Sequence, residues 1–383
     1  MLSLGGFITH PVVLTVLGIA TFGGFVFGIW GIVVSGRSAT KKDVEHLKED
    51  IFEYFNHKFA VARDSTATLV EALPADRTEL LRKAGDAQGA GKYKEAVEYL
   101  RRCDYPGISV GERAALHLLM GNSYMYLSEL REAEREYTDA LDLARQAGDR
   151  AGEAAALGNL GIVHYRHGDL EKAEERHKRA MELDREMGDR LGEANCLGNL
   201  GNVYRERGGL DMAEEYYKSA LAIAREIGDR LGEANGLGNL AIVYGQQGQL
   251  DKAEQQLKED LDLATEISDR ALEAHVLGNL GVVYFLRGDW YEAEEHHKRA
   301  LEIDREIGQR LGEADDLVNL GGVYFRRGEV ERAKDHFQQA QTIFQAVGAG
   351  GEGPEKARQA LELIEEMERQ QREGGEEDTD SGG

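Results

Sequence analysis

The feature that most constrains this chain is a strict 40-residue repeat. Five short segments carry it: LGNLG at 157–161 and 197–201, LGNLA at 237–241, LGNLG at 277–281 and LVNLG at 317–321. Self-similarity at a fixed period of 20–50 residues indicates a repeat array, in which each unit buries its apolar faces only against its neighbours. The 383 residues therefore predict one elongated array with terminal segments rather than several globular domains.

Each repeat predicts two antiparallel helices. In residues 189–228, two stretches with a helical spacing of apolar residues are separated by Gly208 and Gly209. Glycine takes the left-handed conformation that ends many helices, and Gly228 closes the second helix in the same way. Asp229 can then cap the helix that follows. Each helix should contain about 17 residues and measure about 25 Å.

The repeat resembles the tetratricopeptide repeat, a family of helix-turn-helix units. Seven residues match its signature spacing: Leu200, Gly201, Tyr204, Gly208, Ala213, Tyr217 and Ala220. The resemblance covers about 270 residues, and the 40-residue step exceeds the usual 34. It is similar to the long-helix subclass found in kinesin light chains and in spindle-orienting adaptors. The resemblance implies an all-α fold, a right-handed α-solenoid of about seven helix-turn-helix units.

The boundaries follow from this reading. We expect a solenoid whose repeats lie at 77–110 (degenerate), 112–147, 149–188, 189–228, 229–268, 269–308 and 309–348. The segments outside it are a short tail at 1–11, a transmembrane helix at 12–34, an amphipathic helix and linker at 35–76, a capping helix at 353–373 and a disordered acidic tail at 374–383.

Residues 12–34 predict a single membrane anchor. They contain no charged side chain, and about 20 apolar residues suffice to span the hydrocarbon core. The preceding residues lack the basic region of a cleaved signal peptide. Since Arg37, Lys41 and Lys42 follow the span, the positive-inside rule places the repeats on the cytoplasmic side.

A stripe of small residues in this span could bring two anchors together. Ala20, Gly24 and Gly28 are spaced by four residues, the pattern that lets membrane helices approach closely. The alternative is that glycine is simply common in membrane helices. A homo-oligomer formed through the anchor is therefore one expectation.

Composition and motifs argue against several functions. The net charge of −24 does not fit a nucleic-acid partner, because affinity for phosphates needs a basic surface. His164, His177 and His297 occupy aromatic positions of the repeat signature, so we interpret them as core residues rather than metal ligands. Cys103 and Cys196 lie in different repeats and predict no disulfide. No nucleophile elbow, phosphate loop or zinc spacing is present, so we expect neither an enzyme nor a cofactor.

The recurring asparagine is the strongest candidate for function. In the fold that the resemblance implies, the first helix of each pair lines a concave groove. Each asparagine lies two residues before the signature glycine, and positions two residues apart on a helix point about 200° away from each other. If the glycine faces the partner helix, the asparagine therefore faces the groove. The row is Asn159, Asn199, Asn239, Asn279 and Asn319. Carboxamides donate and accept hydrogen bonds, and groove asparagines bind peptide backbones in peptide-binding members of the family. The structural alternative is a ladder that bonds the helix of the adjacent repeat.

Neighbouring groove positions vary between repeats, as expected of a surface that selects its ligand. The polar candidates are Asn195, Asn235, Asn202, Arg166, Arg205 and Arg326, and the arginines suggest some acidic groups on the ligand. Gly158, Gly198, Gly238 and Gly278 precede four of the asparagines and would allow a ligand to approach closely. The sequence therefore predicts a membrane-tethered adaptor that binds a protein or peptide. A self-assembling scaffold and a peptide-responsive sensor are the alternatives.

Overall fold

The computed structural model describes residues 75–349 and 352–380, and all regular structure in that part of the chain is α-helical. Its fifteen helices are α1 (Ala75–Gly89), α2 (Tyr93–Cys103), α3 (Val110–Tyr126), α4 (Leu130–Ala147), α5 (Arg150–Arg166), α6 (Leu170–Met187), α7 (Arg190–Glu206), α8 (Leu210–Ile227), α9 (Arg230–Gln246), α10 (Leu250–Glu266), α11 (Arg270–Arg287), α12 (Trp290–Ile307), α13 (Arg310–Arg326), α14 (Val330–Val347) and α15 (Glu352–Asp380). The twelve helices from α3 to α14 have 17 or 18 residues each, as the repeat predicts.

The chain divides into two compact units between Arg207 and Gly208. Of the described helices, α1 to α7 belong to the first unit and α8 to α15 to the second. Within each unit, every helix packs against the next one along the chain. The first helices of successive repeats also contact one another, as α3 does α5 and α11 does α13. We call the face formed by the first helices of each unit the first-helix surface.

The loops confirm the helix-ending residues that the sequence indicated. Gly228 has a φ of 72° and ends α8 in the left-handed conformation. The carboxylate of Asp229 then accepts a 3.0 Å hydrogen bond from the backbone N–H of Gly232, which caps α9. Ser128 and Ser268 adopt the same positive φ where other repeats have glycine, so the repeat tolerates two strained departures from its pattern.

An aromatic ring lies directly against the signature glycine in four of the repeats, at Gly121, Gly161, Gly281 and Gly321. A Cβ atom on Gly161 would sit 2.5 Å from the imidazole of His177, and one on Gly281 would sit 2.6 Å from that of His297. Both histidines are 1% exposed, which confirms that they are core residues. Burial lowers the pKa of each to about 4, so they are neutral at physiological pH. Cys103 and Cys196 are buried thiols, and neither belongs to a disulfide within the described residues.

The last helix is longer than predicted. α15 runs from Glu352 to Asp380, so it includes residues 374–380, which the sequence assigned to a disordered tail. No proline follows Pro354, and glutamate and glutamine are good helix formers. Two glycines cost only about 1 kcal/mol each in a helix interior, which explains how the helix passes Gly374 and Gly375.

No helix among the described residues is long and apolar enough to cross a membrane. The anchor predicted at 12–34 lies outside them, as do Ala20, Gly24 and Gly28 and the amphipathic segment before the repeats.

Candidate peptide-binding surface

The recurring asparagines lie on the first-helix surface but do not share one environment. Asn199 in the first unit and Asn239, Asn279 and Asn319 in the second are partly exposed. Asn159 is only 6% exposed. The row therefore contains one buried member and four that solvent or a ligand can reach.

Asn159 fits the structural alternative. Its Nδ2 lies 3.5 Å from Oδ1 of Asn122, one repeat earlier, and that oxygen also accepts a 2.6 Å hydrogen bond from the hydroxyl of Tyr137. Asn122 does not belong to the row itself, because it follows its signature glycine, Gly121, instead of preceding it. In the structure Asn122 is the partner of the row's first member, so this contact joins two repeats.

The other asparagines are available to bind. Asn279 has a 3.4 Å contact between its Nδ2 and His275 Nε2 on its own helix. Among the described residues, nothing forms a hydrogen bond with the side chains of Asn199, Asn239 or Asn319. A carboxamide in that state offers two donors and an acceptor to a ligand.

The remaining predicted residues differ in how far they are exposed. Asn195, Asn235, Arg166 and Arg326 are exposed, and Asn202 and Arg205 are partly buried. The Nε atom of Arg205 is buried without a hydrogen-bond partner in the described part of the chain. Asn235 and Arg326 belong to the second unit, and the other four belong to the first.

In the second unit, apolar side chains lie one helical turn beyond the asparagines. Ile242 is three residues after Asn239, and Val282 is three residues after Asn279. Their exposed fractions are 41% and 38%, and that of Leu286 is 57%. A polar row next to exposed apolar side chains suits an extended peptide, because the backbone and the side chains of the ligand are then recognised separately.

The glycines before the asparagines differ between the two units. A Cβ on Gly158 or Gly198 would have nothing within 4 Å. A Cβ on Gly238 would lie 3.6 Å from Oδ2 of Asp260, and one on Gly278 would lie 3.4 Å from Oδ1 of Asp316. The two carboxyl groups are 2% and 5% exposed, respectively. Burial raises the pKa of Asp260 to about 7. Burial and, to a smaller extent, the negative charge of the nearby Asp315 raise the pKa of Asp316 to about 8.

The sequence interpretation missed these two acids, although one of them leaves a clear signal. Asp260 stands where the other repeats have alanine, so it breaks the 40-residue pattern at a buried position. The matching residues are Ala140, Ala180, Ala220, Ala300 and Ala340.

One group in the first unit has the residue types of a metal site. His117, Glu136 and Asp139 bring potential ligand atoms within 4.8 Å of one another. However, His117 Nδ1 is already 2.6 Å from Glu136 Oε2, and the guanidinium of Arg135 is 3.1 Å from Oε1. Burial raises the pKa of Glu136, but hydrogen bonds from His117 and Arg135 outweigh it and lower the pKa overall. The carboxylate is thus satisfied by cations and donors of the protein itself, which fits a hydrogen-bonded pair better than a metal centre.

Paired helices stacked with a period of 40 residues, with a polar row on their first helices, define an α-helical repeat protein suited to protein–protein interaction. Residues 112–186, 192–266 and 270–346 match the tetratricopeptide repeat family. Because these segments make up more than half of the chain, this protein belongs to the tetratricopeptide repeat family.

Curated relatives match only locally. The chain is 39% identical to G-protein-signaling modulator 1 of Mus musculus over 82 residues, which are 21% of this chain and 11% of that protein. The Homo sapiens protein is 40% identical over 83 residues, 22% of this chain and 12% of its own length. The chain therefore spans about a tenth of these relatives.

Solved structures share the fold over longer stretches. BtubC (BKLC) from P. vanneervenii is 25% identical, with a TM-score of 0.52, over 58% of this chain and 94% of that one. A signal-transduction ATPase with a tetratricopeptide repeat sensor from Pyrococcus horikoshii is 19% identical, with a TM-score of 0.61, over 79% and 48%. A Rap protein complexed with Competence and Sporulation Factor is 14% identical, with a TM-score of 0.55, over 85% and 99%. The last two, below 25% identity, show the fold alone.

Proposed function

We propose that this protein is an adaptor that binds a peptide segment of a partner protein on its first-helix surface. In the second unit, the side chains of Asn239, Asn279 and Asn319 would bond the backbone of the ligand. The observation that carries the proposal is the state of Asn239 and Asn319, whose carboxamides have no hydrogen-bond partner among the described residues. Helices mildly disfavour asparagine, so helix formation alone does not explain these two residues.

The apolar side chains beside this row support the same function. Ile242, Val282 and Leu286 are exposed, and apolar side chains next to a polar row can hold the side chains of a ligand whose backbone the polar row binds. The structural similarity to a Rap protein complexed with Competence and Sporulation Factor is compatible with a bound ligand on such a fold. Binding rather than catalysis is the role that these residues support.

Anchoring to a membrane is a separate part of the proposal. It rests on the uncharged stretch at 12–34 and on Arg37, Lys41 and Lys42 after it. On this basis the repeats face the cytoplasm and present their ligand near the membrane. The 40-residue period, similar to that of kinesin light chains and spindle-orienting adaptors, supports a role in assembling complexes.

The test is chemical cross-linking in native membranes followed by mass spectrometry, with three forms of the full chain. The wild type is compared with the double variant Asn239→Leu and Asn319→Leu. The matched control is Gln255→Leu with Gln338→Leu, which makes the same amide-to-leucine change at exposed positions on second helices.

A partner that cross-links to the wild type and the control, but not to the asparagine variant, supports the adaptor function. Helicity by circular dichroism should be equal in all three forms. A partner retained equally by the asparagine variant would show that the first-helix surface does not bind it. Self-cross-links alone, equal in all forms, would instead favour the scaffold.

A further inference from the structure

Asp260 places a carboxyl group at a repeat position where other repeats have the methyl group of alanine. It lies on α10, at the position where five other repeats have the alanine that lets neighbouring helices pack closely. Those alanines are buried, and Asp260 is equally buried at 2% exposure. The fold therefore does not require a carboxyl group here, since five repeats pack without one.

The carboxyl group of Asp260 has no polar partner in the described part of the chain. Its Oδ1 atom is fully buried without a hydrogen bond, and no described residue forms a hydrogen bond or an ion pair with either oxygen. Burial is the cause that raises its pKa to about 7. Leaving a buried polar group unsatisfied costs roughly 1–3 kcal/mol. A residue that lowers stability where alanine would serve points to a role other than folding.

The second oxygen faces the first-helix surface. Asp260 Oδ2 lies 3.6 Å from the point where a Cβ on Gly238 would be, and it is the one described atom within 4 Å of that point apart from the helix backbone and the residues on either side of Gly238. A ligand atom that occupied this space, next to Asn239, would lie against the carboxyl of Asp260. The matching spaces at Gly158 and Gly198 have no neighbour within 4 Å.

Asp316 shows what a partnered acid looks like in the same unit. Its Oδ1 lies near Gly278 but also 3.3 Å from Nδ1 of His297. The protein itself provides a polar neighbour for that carboxyl. Asp260 has no such neighbour among the described residues, so a ligand is the remaining source of a partner for its carboxyl group.

We propose that Asp260 is a specificity residue that receives a cationic group of the bound peptide, a lysine ammonium or an arginine guanidinium, in the space above Gly238. This inference rests on the proposed peptide-binding function and adds the chemistry of one ligand side chain. A cationic donor would give Asp260 a charge-assisted hydrogen bond, the strong kind in a poorly solvated site. The net charge of −24 would favour the approach of such a ligand.

The experiment uses a phage library of random linear peptides, panned on the full chain in detergent micelles. Clones retained by the wild type are synthesised, and each basic residue is replaced by an uncharged analogue, norleucine for lysine or citrulline for arginine. Affinities are then measured for the wild type, Asp260→Ala, Asp260→Asn and the double variant Asn239→Leu with Asn319→Leu. Asp260→Ala restores the residue of the other repeats, so it should fold at least as well as the wild type.

We expect retained clones to share one lysine or arginine. On the wild type, the peptide with the neutral analogue should bind about tenfold more weakly than the parent peptide, because one charge-assisted hydrogen bond is lost. On Asp260→Ala, the two peptides should bind with equal affinity. Asp260→Asn keeps the shape without the charge and should behave like Asp260→Ala. Clones that need the two asparagines, yet lack a basic residue or bind Asp260→Ala equally well, would overturn this inference and leave the adaptor function intact.

If no clone depends on the asparagines, the proposed function fails and a second measurement decides this inference alone. The thermal unfolding midpoint is followed while argininamide is added to the wild type and to Asp260→Ala. A ligand that binds the native state raises the midpoint, so a rise confined to the wild type supports a cation site at Asp260. Equal rises, or none, overturn it.

Discussion

The hydroxyl of Tyr284 donates a 2.8 Å hydrogen bond to Glu254, a residue of the preceding repeat. The same carboxylate lies 2.6 Å from the ammonium of Lys258 and 2.7 Å from the guanidinium of Arg287. The arrangement joins α10 to α11 and recurs every 40 residues. The matching pairs are Glu174 with Tyr204, Glu214 with Tyr244, and Glu294 with Tyr324. We call each of these an inter-repeat clasp.

The clasps should make the repeats sensitive to acid. Partial burial raises the pKa of Glu254, but the bonds from Lys258, Tyr284 and Arg287 outweigh it and bring the pKa to about 2, below its ordinary 4.5. Since the folded pKa is the lower one, the stabilisation is complete above pH 4.5 and is lost as the pH falls towards about 2. Glu254→Gln should lower the free energy of unfolding by roughly 1–2 kcal/mol at neutral pH and reduce its fall below pH 4.5.

Denaturant unfolding measured across that pH range checks this expectation. Glu295→Gln, at an exposed position on α12, serves as the control and should follow the wild-type curve. If the free energy of unfolding falls as steeply below pH 4.5 in Glu254→Gln as in the wild type, the clasp is not the cause of the acid sensitivity.

One clasp is incomplete and invites repair. Glu214 accepts a 3.4 Å hydrogen bond from the side-chain amide of Gln247. In the other three clasps the glutamate pairs with an arginine instead: Arg207, Arg287 or Arg327. Gln247→Arg should supply the missing ion pair and raise the free energy of unfolding by about 0.5–1 kcal/mol. The urea midpoint measures the gain, and Gln246→Arg, at the exposed neighbouring position, should give none. A gain of equal size in both variants would mean that the added positive charge acts through the net charge alone.

Most of the helix pattern was readable from the sequence, because local chemistry determines it. Gly228 and Asp229 end one helix and start the next as their residue types predict. The end of α15 was not readable, since a glutamate-rich stretch without proline is compatible with both helix and disorder. The clasps leave a sequence signal, a glutamate every 40 residues with a lysine four positions later, but their partners come from another repeat and only the packing reveals them.

The candidate site was predicted less well, because burial decides which polar residue is available. Asn159 and Asn239 occupy the same position in the repeat, yet Asn159 is buried against Asn122 while Asn239 has no partner among the described residues. Residue type in the preceding repeat does not distinguish them, because Asn122 and Asn202 stand at equivalent positions before Asn159 and Asn239. Asp260 could have been found by aligning the repeats, since it replaces a recurrent alanine, although its proximity to Gly238 could not.

The two glycines of one LGNLG segment should respond to alanine in opposite ways. A Cβ on Gly161 would meet the ring of His177 at 2.5 Å, whereas a Cβ on Gly158 would meet nothing within 4 Å. Gly161→Ala should therefore destabilise the fold by roughly 1–3 kcal/mol through overpacking. Gly158→Ala should stabilise it by about 0.5–1 kcal/mol, because alanine favours the helix. Thermal or urea unfolding of the pair gives the answer, and two changes of the same sign would contradict the packing of His177 described above.

Replacing Asp260 by alanine should stabilise the protein, and by more at high pH. The unpartnered carboxyl costs roughly 1–3 kcal/mol. Its folded pKa of about 7 lies above its ordinary 3.8. Between these two pH values the carboxyl group loses its proton in the unfolded chain but keeps it in the folded protein, so rising pH favours unfolding. The gain from Asp260→Ala should therefore be larger at about pH 8 than at about pH 4. Asp262→Ala, at an exposed position on the same helix, is the matched control. Loss of stability in Asp260→Ala would mean that the carboxyl has a structural partner, and the site above Gly238 would then lose its physical basis.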